Sequence, residues 1–224
     1  MTPSDPAARL ADAAARYGYP PEAAPRLLAM VAAVLETNED VNLTAAKTLD
    51  AALEILVLDA LPVAAAWTAA RPPRRALDLG TGNGFPGAAV AARWPACRTT
   101  FVDRRAKKVN AVGRCLARAG FANVETVACD GRELVPHQPS RARAFDLVTV
   151  RAVGDLAPTT KEAAPLVAPG GRLVHWKSAD VAADEVAAGD ATARSLGLVR
   201  RADVPFQVAP DRPPRVLVVY ERPA

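Results

Sequence analysis

The spacing of apolar residues changes near residue 71. From 21 to 37 (PPEAAPRLLAMVAAVLE), Leu27, Leu28, Val31 and Val34 recur at helical intervals, which predicts a helix. A second helix is predicted from Thr48, a good N-cap, through Leu53, Leu56 and Leu58, with Pro62 ending or kinking it. The stiff polar segment RPPRR (71–75) then forms a joint. Beyond it, short apolar runs lie at 76–79 (ALDL), 99–102 (TTFV), 123–127 (NVETV), 145–150 (FDLVTV) and 172–176 (RLVHW). Helical stretches separate them at roughly 86–95, 104–119, 155–167 and 180–196. That alternation predicts a mostly parallel sheet with helices on both faces. The last two strand-like runs, 198–206 and 214–220 (PRVLVVY), are joined by the turn-rich APDRPP and predict a C-terminal antiparallel hairpin. The expected fold class is therefore α/β, with a mostly parallel seven-stranded sheet in a main domain over 71–224 and an N-terminal helical extension over 1–70.

Composition narrows the class. Half of the 224 residues are apolar and 23% are charged, as in globular proteins. No run approaches the length of a membrane span. Asp5, Pro6, Arg9, Asp12 and Arg16 interrupt any signal-peptide core, so a cytoplasmic protein is expected. Cys97, Cys115 and Cys129 are odd in number and lack CxxC spacing, and no disulfide framework or metal is expected. With only His137 and His175, a histidine triad is a poor prospect. The net charge of +4 divides unevenly. Residues 1–70 carry nine acids against Arg9, Arg16, Arg26 and Lys47, whereas 71–224 carry 24 bases against 15 acids. A basic C-terminal two-thirds suits a polyanion, although 23 of the 28 bases are arginine, a bias that GC-rich coding also produces. A monomer is expected.

The sharpest motif is LDLGTGNGFPG at 77–87. A buried strand runs into alternating glycines, and Pro86 stands where a helix begins. This makes a tight ligand cradle at the carboxyl end of the first strand. Two cofactor classes use such cradles. Gly82-x-Gly84-x-x-Gly87, with Asp103 lying 21 residues past Gly82, satisfies the dinucleotide pattern. The acid-x-Gly-x-Gly-x-Gly run from Asp78 through Gly80 and Gly82 satisfies the adenosylmethionine pattern. A carboxylate at Asp78 suits a cationic amino-acid group better than a pyrophosphate, though it can also cap a turn. Asp103 ends the second strand, where it can take both ribose hydroxyls or pair with Arg104 or Arg105. Cys129-Asp130-Gly131-Arg132 follows the third strand, in place to read adenine or simply to turn the chain.

On the helix after Asp103, Arg104, Lys107, Lys108, Arg114 and Arg118 fall within an arc of roughly 120°, opposite Val109, Val112 and Leu116. No acid lies between Arg104 and Arg118, so the stripe suits phosphate tracking as well as solvation. Arg151, after the fourth strand, faces the reactive end of a cofactor. It is a donor-only group or a salt-bridge partner of Asp146 or Asp155. Lys177, past the fifth strand, is a second cation or a strand cap. Eleven aromatics leave little for a base-stacking platform.

These residues resemble the RsmG (GidB) family of bacterial small-subunit ribosomal RNA guanine-N7 methyltransferases. The resemblance runs from about residue 30 to 222. Its most specific portions are Asn38-x-x-x-Asn42-Leu43-Thr44, Leu58-Asp59, LDLGTGNGFPG, Asp103 with Lys107-Lys108-Val109, Val150-Arg151-Ala152, and Pro169-Gly170-Gly171-Arg172 leading to Lys177. It implies a Rossmann-like class I methyltransferase fold, S-adenosyl-L-methionine as donor, and 16S rRNA or the small ribosomal subunit as partner. Gly80, Phe85, Gly131, Arg132 and Arg151 look like the family's cofactor contacts, beside Asp78, Gly82 and Asp103. Arg151 and Lys177 would position the acceptor. Guanine N7 carries a lone pair and no proton, so alignment suffices without a general base. The chain departs from the family pattern at Thr37, Val41, Ile55-Leu56, Cys129-Asp130-Gly131-Arg132 and Val150. Ile55 and Leu56, where the family has Arg-His, motivate an alternative acceptor, a small molecule or another RNA. An NAD-dependent oxidoreductase and a non-catalytic RNA-binding paralogue are the remaining alternatives.

Overall fold

The structure is a computed structural model that describes residues 5–224; residues 1–4 of the expected extension lie outside the described residues. Four helical segments precede the sheet: α1 (Pro6–Arg16), α2 (Ala23–Thr37), α3 (Leu49–Ala52) and α4 (Val63–Ala66). Thr48 caps α3 as expected, its hydroxyl accepting the Ala51 N–H. Leu53–Leu58 then widens into a π-helical turn. Helix α1 was not expected from the sequence: its buried face, Leu10, Ala13 and Ala14, is mostly alanine, and its start is marked by Pro6 and by the Asp5 carboxylate, which accepts the Ala7 N–H.

The sheet contains β1 (Arg75–Leu79), β2 (Arg98–Asp103), β3 (Val124–Ala128), β4 (Phe145–Arg151), β5 (Val167–Ser178), β6 (Val199–Arg200), β7 (Val204–Phe206) and β8 (Arg215–Glu221). Its order is β3-β2-β1-β4-β5-β8-β6, with β7 also on β8. Strands β1 to β5 are parallel, and β8 runs antiparallel to β5. The run expected as one strand over 198–206 is two short pieces. Arg200 lies opposite Tyr220 but Val204 opposite Leu217, so one extra residue is absorbed between them, as in a bulge. Seven strand positions result, the last shared by β6 and β7.

Helices α5 (Gly87–Arg93), α6 (Ala106–Arg118), α7 (Gly131–His137), α8 (Leu156–Ala163) and α9 (Ala183–Ser195) connect the strands. The apolar pattern missed α7, a short helix marked by its cap: the Asp130 carboxylate accepts the Arg132 N–H. Two apolar clusters flank the sheet. Leu10, Leu27, Met30 and Val34 of the N-terminal helices pack with Val112 and Leu116 of α6 against Ala76, Phe101 and Leu147. Leu134, Leu156 and Ala193 of α7, α8 and α9 pack against Leu77, Leu79 and Val148. The segment before residue 71 therefore completes one layer of the sheet's core. No helix among the described residues is long and apolar enough to cross a membrane.

His175 on β5 is buried, 3.2 Å from Thr160 Oγ1 and 3.5 Å from Thr159 Oγ1. Burial, reinforced by the charges of Lys177 and Arg200, pushes its pKa down to about 3. The unfolded imidazole takes up a proton near 6.5, whereas the folded one stays neutral. Stability should therefore fall as pH drops below about 6.5, by up to about 1.4 kcal/mol per pH unit. Denaturant midpoints between about pH 7 and 5 should show this slope, and His175→Gln should flatten it even if it lowers stability throughout.

Candidate active site

The strand order reverses between β2 and β4, on either side of β1. The carboxyl ends of these strands thus open a crevice where ligands bind in such sheets. At that edge, Gly80 has φ +70° and its added Cβ would sit 2.5 Å from Val153 Cγ2. The Thr81 N–H donates to the Val102 carbonyl at 2.8 Å, tying the turn to β2. On the far side, a Cβ at Gly131 would meet Glu162 Oε1 and lie 2.5 Å from Leu79 Cδ1. Both walls therefore need bare backbone.

Between these walls lies a cavity of about 860 Å³ lined by Gly80, Asp103, Arg105, Gly131, Arg132 and Glu162, among others. A second pocket of about 370 Å³ is walled by Thr44, Asp59, Gly82, Asn83, Arg151 and Arg215. The two meet at Gly80, Arg105 and Ala152. The Asn38 of the Asn-x-x-x-Asn-Leu-Thr motif builds one wall of the smaller pocket. Its Oδ1 accepts the N–H groups of Leu43 (2.7 Å) and Thr44 (2.8 Å), and its Nδ2 donates to the Thr44 carbonyl.

Asp103 is 4% exposed, yet its carboxylate borders the large cavity. Oδ1 accepts the Arg105 N–H and Nε–H, both at 3.0 Å. Oδ2 accepts the Gly82 N–H at 3.1 Å and Arg105 Nη2 at 2.9 Å. Burial alone would raise its pKa, but these donors outweigh burial and hold the carboxyl below its ordinary value. Of the two partners weighed from sequence, Arg105 is the one that pairs.

Arg151 is nearly buried and pairs with neither Asp146 nor Asp155. Its Nη1 lies 3.0 Å from Asp59 Oδ2 and donates to the carbonyls of Ile55 (3.2 Å) and Leu56 (3.4 Å), while Nη2 donates to Asn83 Oδ1 at 3.3 Å. The π-helical turn leaves those carbonyls available to a side chain. Asp146 instead accepts the backbone N–H groups of Arg74 and Arg75.

The sequence matches the GidB family, described as rRNA small subunit methyltransferase G, over residues 24–213. The chain belongs to this family. Two curated relatives carry the name Ribosomal RNA small subunit methyltransferase G. One, from Roseiflexus sp. (strain RS-1), is 33% identical over 187 residues, covering 84% of this chain and 78% of the relative. The other, from Prochlorococcus marinus (strain MIT 9313), is 31% identical over 160 residues, covering 69% of this chain and just under two thirds, 65%, of the relative. Among solved structures, a TehB-like SAM-dependent methyltransferase from Corynebacterium glutamicum superposes with TM-score 0.51 at 18% identity, covering 75% of this chain and 88% of that one. The mitomycin 7-O-methyltransferase MmcR superposes with TM-score 0.57 at 17% identity, covering 84% of this chain and 60% of that one. At such identities the likeness establishes the fold, that of class I methyltransferases.

Against this family background, several expected site residues lie elsewhere. Asp78 is 1% exposed and lines neither cavity. Its oxygens accept the hydroxyls of Thr81 (2.6 Å) and Thr149 (2.7 Å), and burial pushes its pKa up against those hydrogen bonds and one from the Gly87 N–H. The pleat explains this. Leu77 and Leu79 face the α7–α8–α9 side, which turns Asp78 the other way, across from Thr149 on β4. Asp78 therefore braces the cradle from beneath. Lys177 also misses both cavities: its Nζ donates to the Gly154 carbonyl at 2.7 Å and pairs with Glu185. It pins the loop that presses Val153 onto Gly80. Arg118 pairs with Glu36 of α2, which no count along α6 alone could reveal.

Gly82, Phe85 and Arg151 line the smaller pocket, and Gly131 and Arg132 the larger. Arg132 folds back on Asp130 through a two-point ion pair, which holds the Asp130 carboxyl down at about 2. No sequence motif singles out Arg215 or Glu162, the latter with its pKa raised by burial and the nearby Asp130 charge, whereas Asn83 and Asp59 stand in motifs that give no sign of their role. Cys129, Glu133 and His137 bring possible ligand atoms within 4.8 Å of one another, a helical spacing that a search for CxxC does not find.

Proposed function

We propose that this chain transfers the methyl group of S-adenosylmethionine to N7 of a guanine in 16S rRNA, free or in the small ribosomal subunit, as a cytoplasmic monomer. The observation that carries this reading is the pair of cavities meeting at Gly80, one able to hold a nucleoside and the other lined by cationic donors. The residues present fit the donor: Asp103 offers a buried carboxylate at the ribose position, and Gly80 and Gly131 present bare backbone to the cavity, where a side chain would clash with Val153 or Leu79. When bound, the donor supplies an electrophilic methyl group and departs as a neutral thioether. Asp103 would hold the ribose, and the backbone at Cys129–Gly131 would lie beside the base. Gly80 and Gly82 would let the sulfonium approach the junction. Arg151, fixed by Asp59 and Asn83, and Arg215 would orient a phosphate or the guanine O6 edge in the smaller pocket. The enzyme's contribution is alignment, because N7 needs no deprotonation. Family membership favours this donor over the dinucleotide that the same glycines admit.

RNA incubated with labelled donor and mapped at guanine N7 tests the reading; label confined to other positions by an active enzyme rejects it. Strong labelling of free metabolites, with no salt-sensitive RNA binding, would support instead the small-molecule acceptor that the apolar Ile55 and Leu56 side chains suggest.

For RNA contact, Arg104, Lys107 and Arg114 are exposed and pair with no acid among the described residues, and Lys108 is half-buried. Lys107→Ala is expected to lower the slope of log affinity against log salt by about one. Arg118→Ala should leave that slope unchanged, because Glu36 already neutralises it. Filter binding across a salt series separates the two.

A further inference from the structure

We propose that Arg105 is displaced from Asp103 by the adenosyl donor and then grips an RNA phosphate, so that donor and RNA bind cooperatively. The inference rests on the donor reading above and adds a residue and a coupling to it.

The argument is a count of lone pairs. An ionised carboxylate has about four acceptor positions, and Asp103 has four donors on them: two backbone N–H groups, from Gly82 and Arg105, and two side-chain N–H groups, both from Arg105. The backbone donors are built into the glycine turn and the N-cap position of α6, so they stay. A ribose diol donates two hydrogen bonds, and the only two positions that can be vacated are those held by Arg105 Nε and Nη2. Ribose binding at Asp103 therefore requires the guanidinium to leave. It is free to do so, since its side chain is 54% exposed and has no other acid partner among the described residues.

Its destination follows from its place. Arg105 borders both cavities and stands between exposed Arg104 and Lys107, with Lys108 beside them. Arg104, Lys107 and Lys108 pair with no acid among the described residues, and burial and the Arg105 charge lower the Lys108 pKa against the opposing Asp103 charge. A planar fork released from a carboxylate matches a phosphate with the same two-point geometry. The polyanion arriving at the smaller pocket supplies one.

The test measures binding of a 16S rRNA transcript with and without S-adenosylhomocysteine across a salt series. The native chain is expected to bind RNA about 5- to 10-fold more tightly with the nucleoside present, and the nucleoside more tightly with RNA by the same factor. Its salt slope should steepen by about one phosphate. Arg105→Ala should bind S-adenosylhomocysteine at least as tightly as the native chain, yet show no RNA response to it. Arg105→Lys, which keeps the charge but not the fork, should retain RNA affinity and lose most of the coupling. A native chain that binds the nucleoside without a change in RNA slope overturns this proposal alone, as does Arg105→Ala losing nucleoside binding or keeping the full coupling. A native chain that binds no S-adenosylhomocysteine overturns the donor reading itself.

Discussion

Asp103→Ala is expected to bind S-adenosylhomocysteine about 100-fold more weakly than the native chain. Each hydrogen bond to a charged group contributes roughly 1.5–3 kcal/mol, and two ribose hydroxyls would be lost. Part of that loss is offset, because the native carboxylate gives up Arg105 to take the ribose and water enters the widened cavity of the variant, so the expected net is about 3 kcal/mol, or two powers of ten. Asp103→Asn keeps one acceptor oxygen and should fall between the two. Isothermal calorimetry reads all three proteins directly. The fold should survive, because Arg105 is half-exposed and can hydrate once released. An unchanged affinity would remove Asp103 from the donor site, and with it the reason for Arg105 to move.

The second large effect is on stability. Asp59→Ala should lower the unfolding free energy by about 3 kcal/mol, or roughly 6–12 °C in Tm for a chain of this size. Asp59 and Arg151 have side chains 9% and 10% exposed, so removing the carboxylate strands a guanidinium that solvent barely reaches. The carbonyls of Ile55 and Leu56 and the Asn83 oxygen remain as partners, but they carry no countercharge. Arg215, whose Nη1 lies 3.8 Å from the other Asp59 oxygen, loses a partner as well. The double variant Asp59→Ala/Arg151→Met should recover much of the loss, because it leaves no unpaired charge. Chemical denaturation of the four members of this cycle distinguishes a buried pair from two independent side chains; strictly additive losses would mean that the pair does not act as one.

The alternation of strands and helices after residue 71, the glycine turn and the end of β2 were legible because each depends on a few neighbouring residues. A run as short and as β-branched as FDLVTV favours a strand, and GTGNG can take positive φ wherever the chain goes. Helix α7 was not legible, since its signal is a single cap with one buried residue, Leu134; α1 does carry a periodic face, Leu10, Ala13 and Ala14, but two of its three buried positions are alanines, which mark no stripe in a chain so rich in alanine. The 198–206 run was readable as extended, but its split required knowledge of β8.

The candidate site divides along the same line. Which residues could meet a cofactor was written in the motif from Leu77 to Gly87 and in Asp103. Which ones do border the cavities was decided by the sheet. Arg151 meets Asp59 across 92 residues of chain, and Arg118 meets Glu36 across 82. Asp78 is turned under the cradle by strand pleat and by Thr149 on β4. Local sequence carries backbone preference and the order of apolar faces; it does not carry the pairing of charges brought together from distant elements. Those pairs follow from register and helix packing, and they decide which cations remain available to a phosphate.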